Sequence, residues 1–270
     1  MAPERPLTSV FRWAGSKRKL VPVLNSLVPP AFDRYIEPFA GSACLFFHLA
    51  PPKAILGDIN TELMNAYRQL KAHPISVFNA LQRFPDRTPE TYYAARRLDP
   101  RALPAIQRAA RFVFLNRLCF NGIYRTNTRG DFNVPYGGNK TGELPTRRAL
   151  VAASDRLQRA KLACASFETV LAEAKRDDFI YLDPPYSISN RRVFNNYAAD
   201  VFSNDNLKRL KKELRRLDSI GAKFLVSYGL SKEGMFLARD LNLKHATVQR
   251  QVSGFSTHRR KAKELLITNY

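Results

Sequence analysis

An α/β fold on an open, mostly parallel sheet is what this 270-residue sequence predicts. Three observations predict it. Tyr35-Ile36-Glu37-Pro38-Phe39 reads as a strand running into the small-residue turn Ala40-Gly41-Ser42-Ala43 and a helix from about Cys44 to Leu49. Ala54-Ile55-Leu56-Gly57-Asp58-Ile59-Asn60 reads as a second strand, and its acid lies 17 residues beyond Gly41. That is near the spacing at which an acid meets ribose hydroxyls. Phe179-Ile180-Tyr181-Leu182 is an apolar, β-forming run that stops at Asp183. Pro184 and Pro185 then forbid both helix and ladder, so an acid, a carbonyl and the Tyr186 ring leave the sheet on a stiff, extended chain. These are parts of a Rossmann-like sheet whose ligands lie at the carboxyl ends of the strands.

The remaining elements follow in order. Phe11-Arg12-Trp13-Ala14-Gly15-Ser16-Lys17-Arg18-Lys19-Leu20 carries the only tryptophan and a Gly-Ser turn that opens a basic helix. Such a turn exposes backbone N–H groups to an anion, and Lys17 could face a carboxylate or a phosphate. Asn60 or Thr61 begins a helix through about Leu70, so Asp58 could also serve merely to flank that cap. From Lys71 to Arg159 the pattern becomes basic and helical, with helices around Tyr92–Arg97 and Ala105–Leu118. Residues 71–160 hold 16 Lys/Arg against 6 Asp/Glu. Within them, residues 119–140 read as a protruding hairpin, with β-like runs at Ile123-Tyr124 and Phe132-Asn133-Val134 around the turn Thr128-Arg129-Gly130-Asp131. Bases interleaved with Phe120, Tyr124, Phe132 and Tyr136 suit phosphate contact and base stacking. Ala163–Glu168 reads as a further strand and turn, and residues 189–200 as a mobile polar loop. Leu207, Leu210, Leu214 and Leu217 have helical spacing, which puts Lys208, Arg209, Lys211, Lys212, Arg215 and Arg216 outside. Lys223–Ser227 is another strand. Ala246-Thr247-Val248 and Glu264–Asn269 form a closing hairpin around basic residues 259–263.

Composition narrows the function. A hydrophobic fraction of 45%, with 18 Phe and 11 Tyr, is enough for a sizeable core and excludes global disorder. Lys+Arg 44 against Asp+Glu 23 leaves +21, which points to a polyanionic partner such as nucleic acid. Cys44, Cys119 and Cys164 lack CxxC spacing, and the four histidines do not cluster, so neither disulfides nor a metal site is expected. No apolar leader or run of about 18 apolar residues is present, and a cytoplasmic protein is expected.

Six motifs then occur in one order: Trp-Ala-Gly-Ser-Lys, Glu-Pro-Phe-Ala-Gly-Ser-Ala, Gly-Asp-Ile-Asn, Leu-Asn-Arg-Leu-Cys-Phe-Asn-Gly-Ile-Tyr-Arg, Arg-Gly-Asp-Phe-Asn-Val-Pro-Tyr-Gly and Asp-Pro-Pro-Tyr. From Phe11 to the C-terminal Lys-Glu-Leu-Leu the chain closely resembles the Dam family of DNA adenine-N6 methyltransferases, which use S-adenosylmethionine. The resemblance implies a Rossmann-like methyltransferase sheet in residues 1–65 and 160–270. It also implies an inserted, mainly helical target-recognition domain in residues 66–159. Cofactor contacts are implied for Trp13, Ala14, Gly15, Lys17, Glu37, Phe39, Gly41, Asp58, Ile59, Phe167 and Asp183, and catalytic roles for Asp183, Pro184, Pro185 and Tyr186. DNA contacts are implied for Phe120, Asn121, Arg125, Asn127, Arg129 and Asn133, with Arg125 reading guanine in GATC or a related short site. Double-stranded DNA is the implied partner, a nucleoid-associated cytoplasmic location follows from it, and no metal or membrane is involved. The resemblance leaves open a solitary enzyme and one with a restriction or defence-system partner. Ser42-Ala43 replaces the usual second glycine region, and Gly138 and Asn139 stand where well-known members have Arg and Tyr.

The chemistry of the motif fits that activity. Adenine N6 is a poor nucleophile because its lone pair is delocalised into the ring. Two acceptors aimed at the amino hydrogens, the Asp183 carboxylate and the Pro184 carbonyl, draw N6 toward tetrahedral geometry and stabilise its developing positive charge. The base must leave the duplex to be reached, and Tyr186 is the candidate stacking platform. Aspartate before Pro-Pro-Tyr favours adenine, although cytosine N4 uses the same logic. A DNA-binding protein without activity and an RNA adenine methyltransferase are the other readings. The hairpin argues against the latter, because the major groove of A-form RNA is too narrow for it.

Overall fold

The computed structural model describes residue 7 and residues 9–186, 202–249 and 261–270. The polar stretch 189–200, and Arg259 and Arg260, lie outside the described residues. The strands are β1 (Tyr35–Glu37), β2 (Ala54–Asp58), β3 (Ala160–Cys164), β4 (Phe179–Leu182), β5 (Lys223–Gly229), β6 (Asn242–Gln249) and β7 (Lys261–Thr268). They form one seven-stranded sheet in the order β3-β2-β1-β4-β5-β7-β6. The strands β1 to β5 run parallel, β7 is antiparallel to β5, and β6 closes the edge as its hairpin partner.

Parallel strands are covered on both faces, which is why Tyr35-Ile36, Ile55-Leu56 and Phe179–Leu182 read as continuous apolar runs. The period of two sorts each run between two cores. Tyr35, Leu56, Phe179, Tyr181 and Leu225 face one side. There they meet α2 (Cys44–Leu49) and the helices inserted between β2 and β3: α3 (Thr61–Ala72), α4 (Pro74–Leu81), α5 (Pro89–Arg97), α6 (Ala105–Leu118) and α7 (Arg147–Leu157). Ile36, Ile55, Ile180, Phe224 and Val226 face the other side, against α8 (Phe167–Leu171), α9 (Asn204–Ser219) and α10 (Lys232–Ala238). A short helix, α1 (Val21–Asn25), precedes β1. The inserted helices share the first core with the sheet, so they are anchored to it.

Several elements differ from expectation. The strand expected near Ala163 spans Ala160–Cys164, paired along the whole of β2, and the turn expected after it opens α8, because Ser166 caps that helix by accepting the Thr169 N–H. In α9 the four leucines are buried as the spacing requires, but Lys211 is buried with them. Its stem runs along the apolar face, and its ammonium donates to the Leu237 and Arg239 carbonyls at the end of α10. Residues 119–140 fold back antiparallel, but only through the bridges Cys119↔Tyr136 and Thr126↔Phe132. A regular ladder is interrupted by left-handed Asn121 (φ 55°) and Gly122 (φ 64°), and by Pro135, which has no N–H.

Leu214 is 1% exposed and Arg215 lies on the solvent face of the same turn. Leu214→Ala is expected to destabilise the protein by about 2–5 kcal/mol in urea unfolding, and Arg215→Ala by less than about 0.5 kcal/mol.

Candidate active site

β1 lies between β2 and β4, so the chain leaves its carboxyl end at the point where the strand order reverses. Glu37 ends β1, Asp58 ends β2 and Asp183 follows β4, so the three acids share the carboxyl rim of the sheet, the edge at which open α/β sheets bind their ligands.

The turn after β1 is fixed from both ends. Gly41 has φ +46°, and a Cβ there would meet Trp13 Cδ1 at 2.8 Å, so only glycine admits the indole. The Gly41 N–H donates to Asp58 Oδ2 at 2.9 Å, and its carbonyl accepts the Tyr67 hydroxyl at 2.8 Å. Asp58 Oδ1 accepts the Asn60 N–H, while Asn60 itself caps α3. Asp58 therefore ties β2, the glycine turn and α3 together, and its carboxylate keeps further acceptor positions. Ile59 follows it and is 61% exposed. Across the rim the Phe39 and Phe167 rings stack at 5.3 Å. Trp13 stacks on Tyr124 at 5.9 Å and 16°. Ala14 and Gly15 are exposed between that stack and Lys17.

Asp183 sits where β4 gives way to the two prolines. Lys17 Nζ donates to Asp183 Oδ1 at 2.6 Å, to the Gly15 carbonyl at 3.2 Å and to the Tyr186 hydroxyl at 3.1 Å. Ser227 of β5 also donates to Asp183 Oδ1. The Tyr186 hydroxyl donates to the carboxylate of Glu264 on β7, and its ring packs edge-on against Tyr228. Lys17 lies 5.2 Å from the Tyr186 ring centre.

Burial pushes the Asp183 carboxyl above the ordinary aspartate range, against the pull of Lys17. Burial also raises Asp58, opposed by its backbone N–H donors. Glu37, 2% exposed, is raised well above the ordinary glutamate range by burial, with the Tyr35 hydroxyl opposing and the Asp183 and Asp58 charges adding to the effect. Burial alone would lower Lys17, but Asp183, Tyr186 and Glu264 outweigh it and keep the ammonium charged.

A rigid acceptor at a strand end, beside a glycine turn and a spaced acid, is the arrangement that the sequence motifs anticipated. The chain matches, over residues 13–264, the D12 class N6 adenine-specific DNA methyltransferases. The chain belongs to that family. It is 34% identical to the type II methyltransferase M1.LlaDCHI of Lactococcus lactis subsp. cremoris, covering 98% of this chain and 95% of the relative. It is 32% identical to the type II methyltransferase M.MjaIII of Methanocaldococcus jannaschii, with 96% and 98% covered. A Vibrio cholerae DNA adenine methylase is 31% identical, with 95% and 94% covered.

In this D12 class methyltransferase the expected rim residues converge, but the hairpin residues differ among themselves. Arg125 is braced by Asn133, whose Oδ1 accepts from its Nε at 2.7 Å. Asn127 is occupied within the turn, accepting the Arg129 and Asp131 N–H groups. Arg129 is exposed at the tip, and Phe120 is half-buried with Lys140 over its ring. Not every base faces outward: Arg111 donates to the Ala95 and Arg96 carbonyls, and Arg108 pairs with Glu62. Ser227, Tyr228 and Glu264 were not anticipated. They reach Asp183 and Tyr186 from β5 and β7, and no local motif marks them. Among the described residues there is no cluster of metal ligands, and no helix is long and apolar enough to cross a membrane.

Trp13 is the only tryptophan, so intrinsic fluorescence reports on this turn. Gly41→Ala is expected to shift the Trp13 emission and to cost about 1–2 kcal/mol for a left-handed side chain. An unchanged spectrum would show that the indole does not rest on Gly41.

Proposed function

We propose that this chain transfers a methyl group from S-adenosylmethionine to N6 of an adenine flipped out of duplex DNA, within GATC or a related short site. The observation that carries the reading is Asp183, held at the end of β4 beside the Gly41 turn and stiffened by Pro184-Pro185.

The rim residues suit such a methyl donor. The Gly41 turn seats the Trp13 indole beside the strand ends, Asp58 has spare acceptor positions for ribose hydroxyls, and exposed Ile59 with Phe39 and Phe167 offers an apolar seat for a base. When bound, the cofactor supplies a methyl group on a positively charged sulfur. The chain's own residues prepare the acceptor. The Asp183 carboxylate and the Pro184 carbonyl take hydrogen bonds from the N6 amino group, which frees its lone pair and favours the positive charge that develops there. Pro184 and Pro185 hold both acceptors in register, so little reorganisation is needed in the transition state. Half-buried Tyr186, fixed by Glu264 and Lys17, gives the extruded base a ring to stack on.

Residues 66–159 are the DNA target-recognition domain in this reading, inserted between catalytic parts 1–65 and 160–270. Its positive charge supports phosphate contact, and Arg125, preset by Asn133, has further N–H groups for guanine O6 and N7. Phe120, Asn121, Asn127, Arg129 and Asn133 complete the reading surface, with Asn127 acting by shaping the turn. The protein then works on the nucleoid. The type II names of two relatives make a restriction partner a natural companion.

Purified protein is expected to move labelled methyl groups from S-adenosylmethionine to N6 of adenine in a duplex. Asp183→Ala should abolish transfer while the fold, judged by circular dichroism, persists. Unimpaired transfer by that variant would refute the assigned role. Because the Asp183 pKa is raised and the ionised form is the acceptor, kcat should fall with decreasing pH, with a midpoint above the usual aspartate value of 3.8. Arg125→Ala is expected to cost about 1–3 kcal/mol of discrimination at one guanine position, read from rates on single-substituted sites.

A further inference from the structure

Asp183 is held by one oxygen. Lys17 and Ser227 both donate to Oδ1, at 2.6 and 3.1 Å, and among the described residues no donor reaches Oδ2. The sheet register sets this up. Leu182 pairs with Val226, so Asp183 and Ser227 leave the two strands side by side on the face shared by Tyr181. Ser227 has one hydroxyl proton, which goes to Asp183. The Tyr181 hydroxyl, 2.9 Å from Ser227 Oγ, is therefore the donor in that contact. Tyr181 is 1% and Ser227 0% exposed, so neither hydroxyl has bulk water as an alternative partner.

From this chain of donors we infer that Ser227, backed by Tyr181, is a positioning residue that pins Oδ1 of Asp183 and presents Oδ2 to the target amino group. The inference rests on the adenine-N6 reading, in which Asp183 is the acceptor. The terminal torsion of an aspartate is broad and roughly two-fold, so a strand and two prolines fix where the carboxyl group is but not which oxygen faces a ligand. Lys17 alone cannot fix it either. Its ammonium is a point charge on a flexible stem, with Tyr186 and the Gly15 carbonyl as competing partners. Ser227 projects from a buried strand with a short side chain, so it supplies the direction that Lys17 lacks.

The test compares Ser227→Ala, Tyr181→Phe and the double variant with the wild-type enzyme. Ser227→Ala is expected to lower kcat by about 10- to 100-fold, the range for a lost hydrogen bond to a charged group. S-adenosylmethionine affinity, followed by Trp13 fluorescence, and the emission of 2-aminopurine at the target position should not change. The acid limb of kcat should move to higher pH, because Ser227 donates to the ionised carboxylate. The titrating groups that face Asp183 are Lys17, Glu37, Cys44, Tyr181, Tyr186 and Glu264, and Ser227→Ala leaves all of them in place. Tyr181→Phe should have a smaller effect of the same kind and none in the Ser227→Ala background, since the two act in series. A wild-type kcat with an unmoved acid limb in Ser227→Ala would overturn the inference. So would a rate loss matched by lost cofactor affinity, or additive effects in the double variant, either of which marks a merely structural role. If Ser227→Ala does not fold, Tyr181→Phe decides by itself: a shifted acid limb supports the inference, and an unmoved one overturns it. Wild-type transfer to adenine N6 tests the underlying reading separately; only the variant-to-wild-type ratios bear on Ser227.

Discussion

The contact between Lys17 and Asp183 is the constraint on which the rest of the site depends. Glu37, Asp58, Asp183 and Glu264 converge on one edge of the sheet, where burial makes uncompensated charge costly. Lys17, 6% exposed, brings a buried ammonium among them, and Tyr186 links that ammonium to Glu264. Glu37 meets the same constraint differently: burial favours its neutral form, hydrogen-bonded to Tyr35. Lys17 thus lets acids that would otherwise repel one another share this edge, with Asp183 ion-paired to its ammonium.

The ammonium arrives from far away in sequence, so the N-terminal segment has to be docked firmly. Asn116 of α6 does this with a reciprocal pair, accepting the Arg12 N–H and donating to the Arg12 carbonyl. Arg12 then reaches the Arg117 and Lys140 carbonyls, and Trp13 lies between Gly41 and Tyr124. The inserted helices and the folded-back segment 119–140 are therefore mechanically joined to the strap that carries Lys17. A displacement of that segment would be felt at Asp183 through a short run of contacts.

Much of this was legible in the sequence, for definite reasons. Strands buried on both faces announce themselves as apolar runs, the two prolines mark where β4 must end, and Gly41 and Asp58 lie within one strand-turn-helix-strand unit whose spacing is local. What was illegible depends on which distant strands become neighbours. Ser227 reads as the end of an apolar strand and Glu264 as part of a basic C-terminal hairpin; only the β4-β5-β7 order brings them to Asp183 and Tyr186. Lys211 looked like one more solvated base, because helical spacing cannot show that the end of α10 lies across its stem. Nor does the spacing of α6 show that Arg111 turns inward to serve the backbone of α5.

In the proposed function this edge of the sheet delivers a methyl group to an amino nitrogen of adenine in DNA. Single-molecule sequencing of DNA from a methylation-free host expressing the protein tests it most directly, since base, atom and sequence context are read together. N6-Methyladenine is expected at one short recurring site and absent from the same host without the protein. Methylation confined to cytosine N4, or DNA identical with and without the protein, would contradict it.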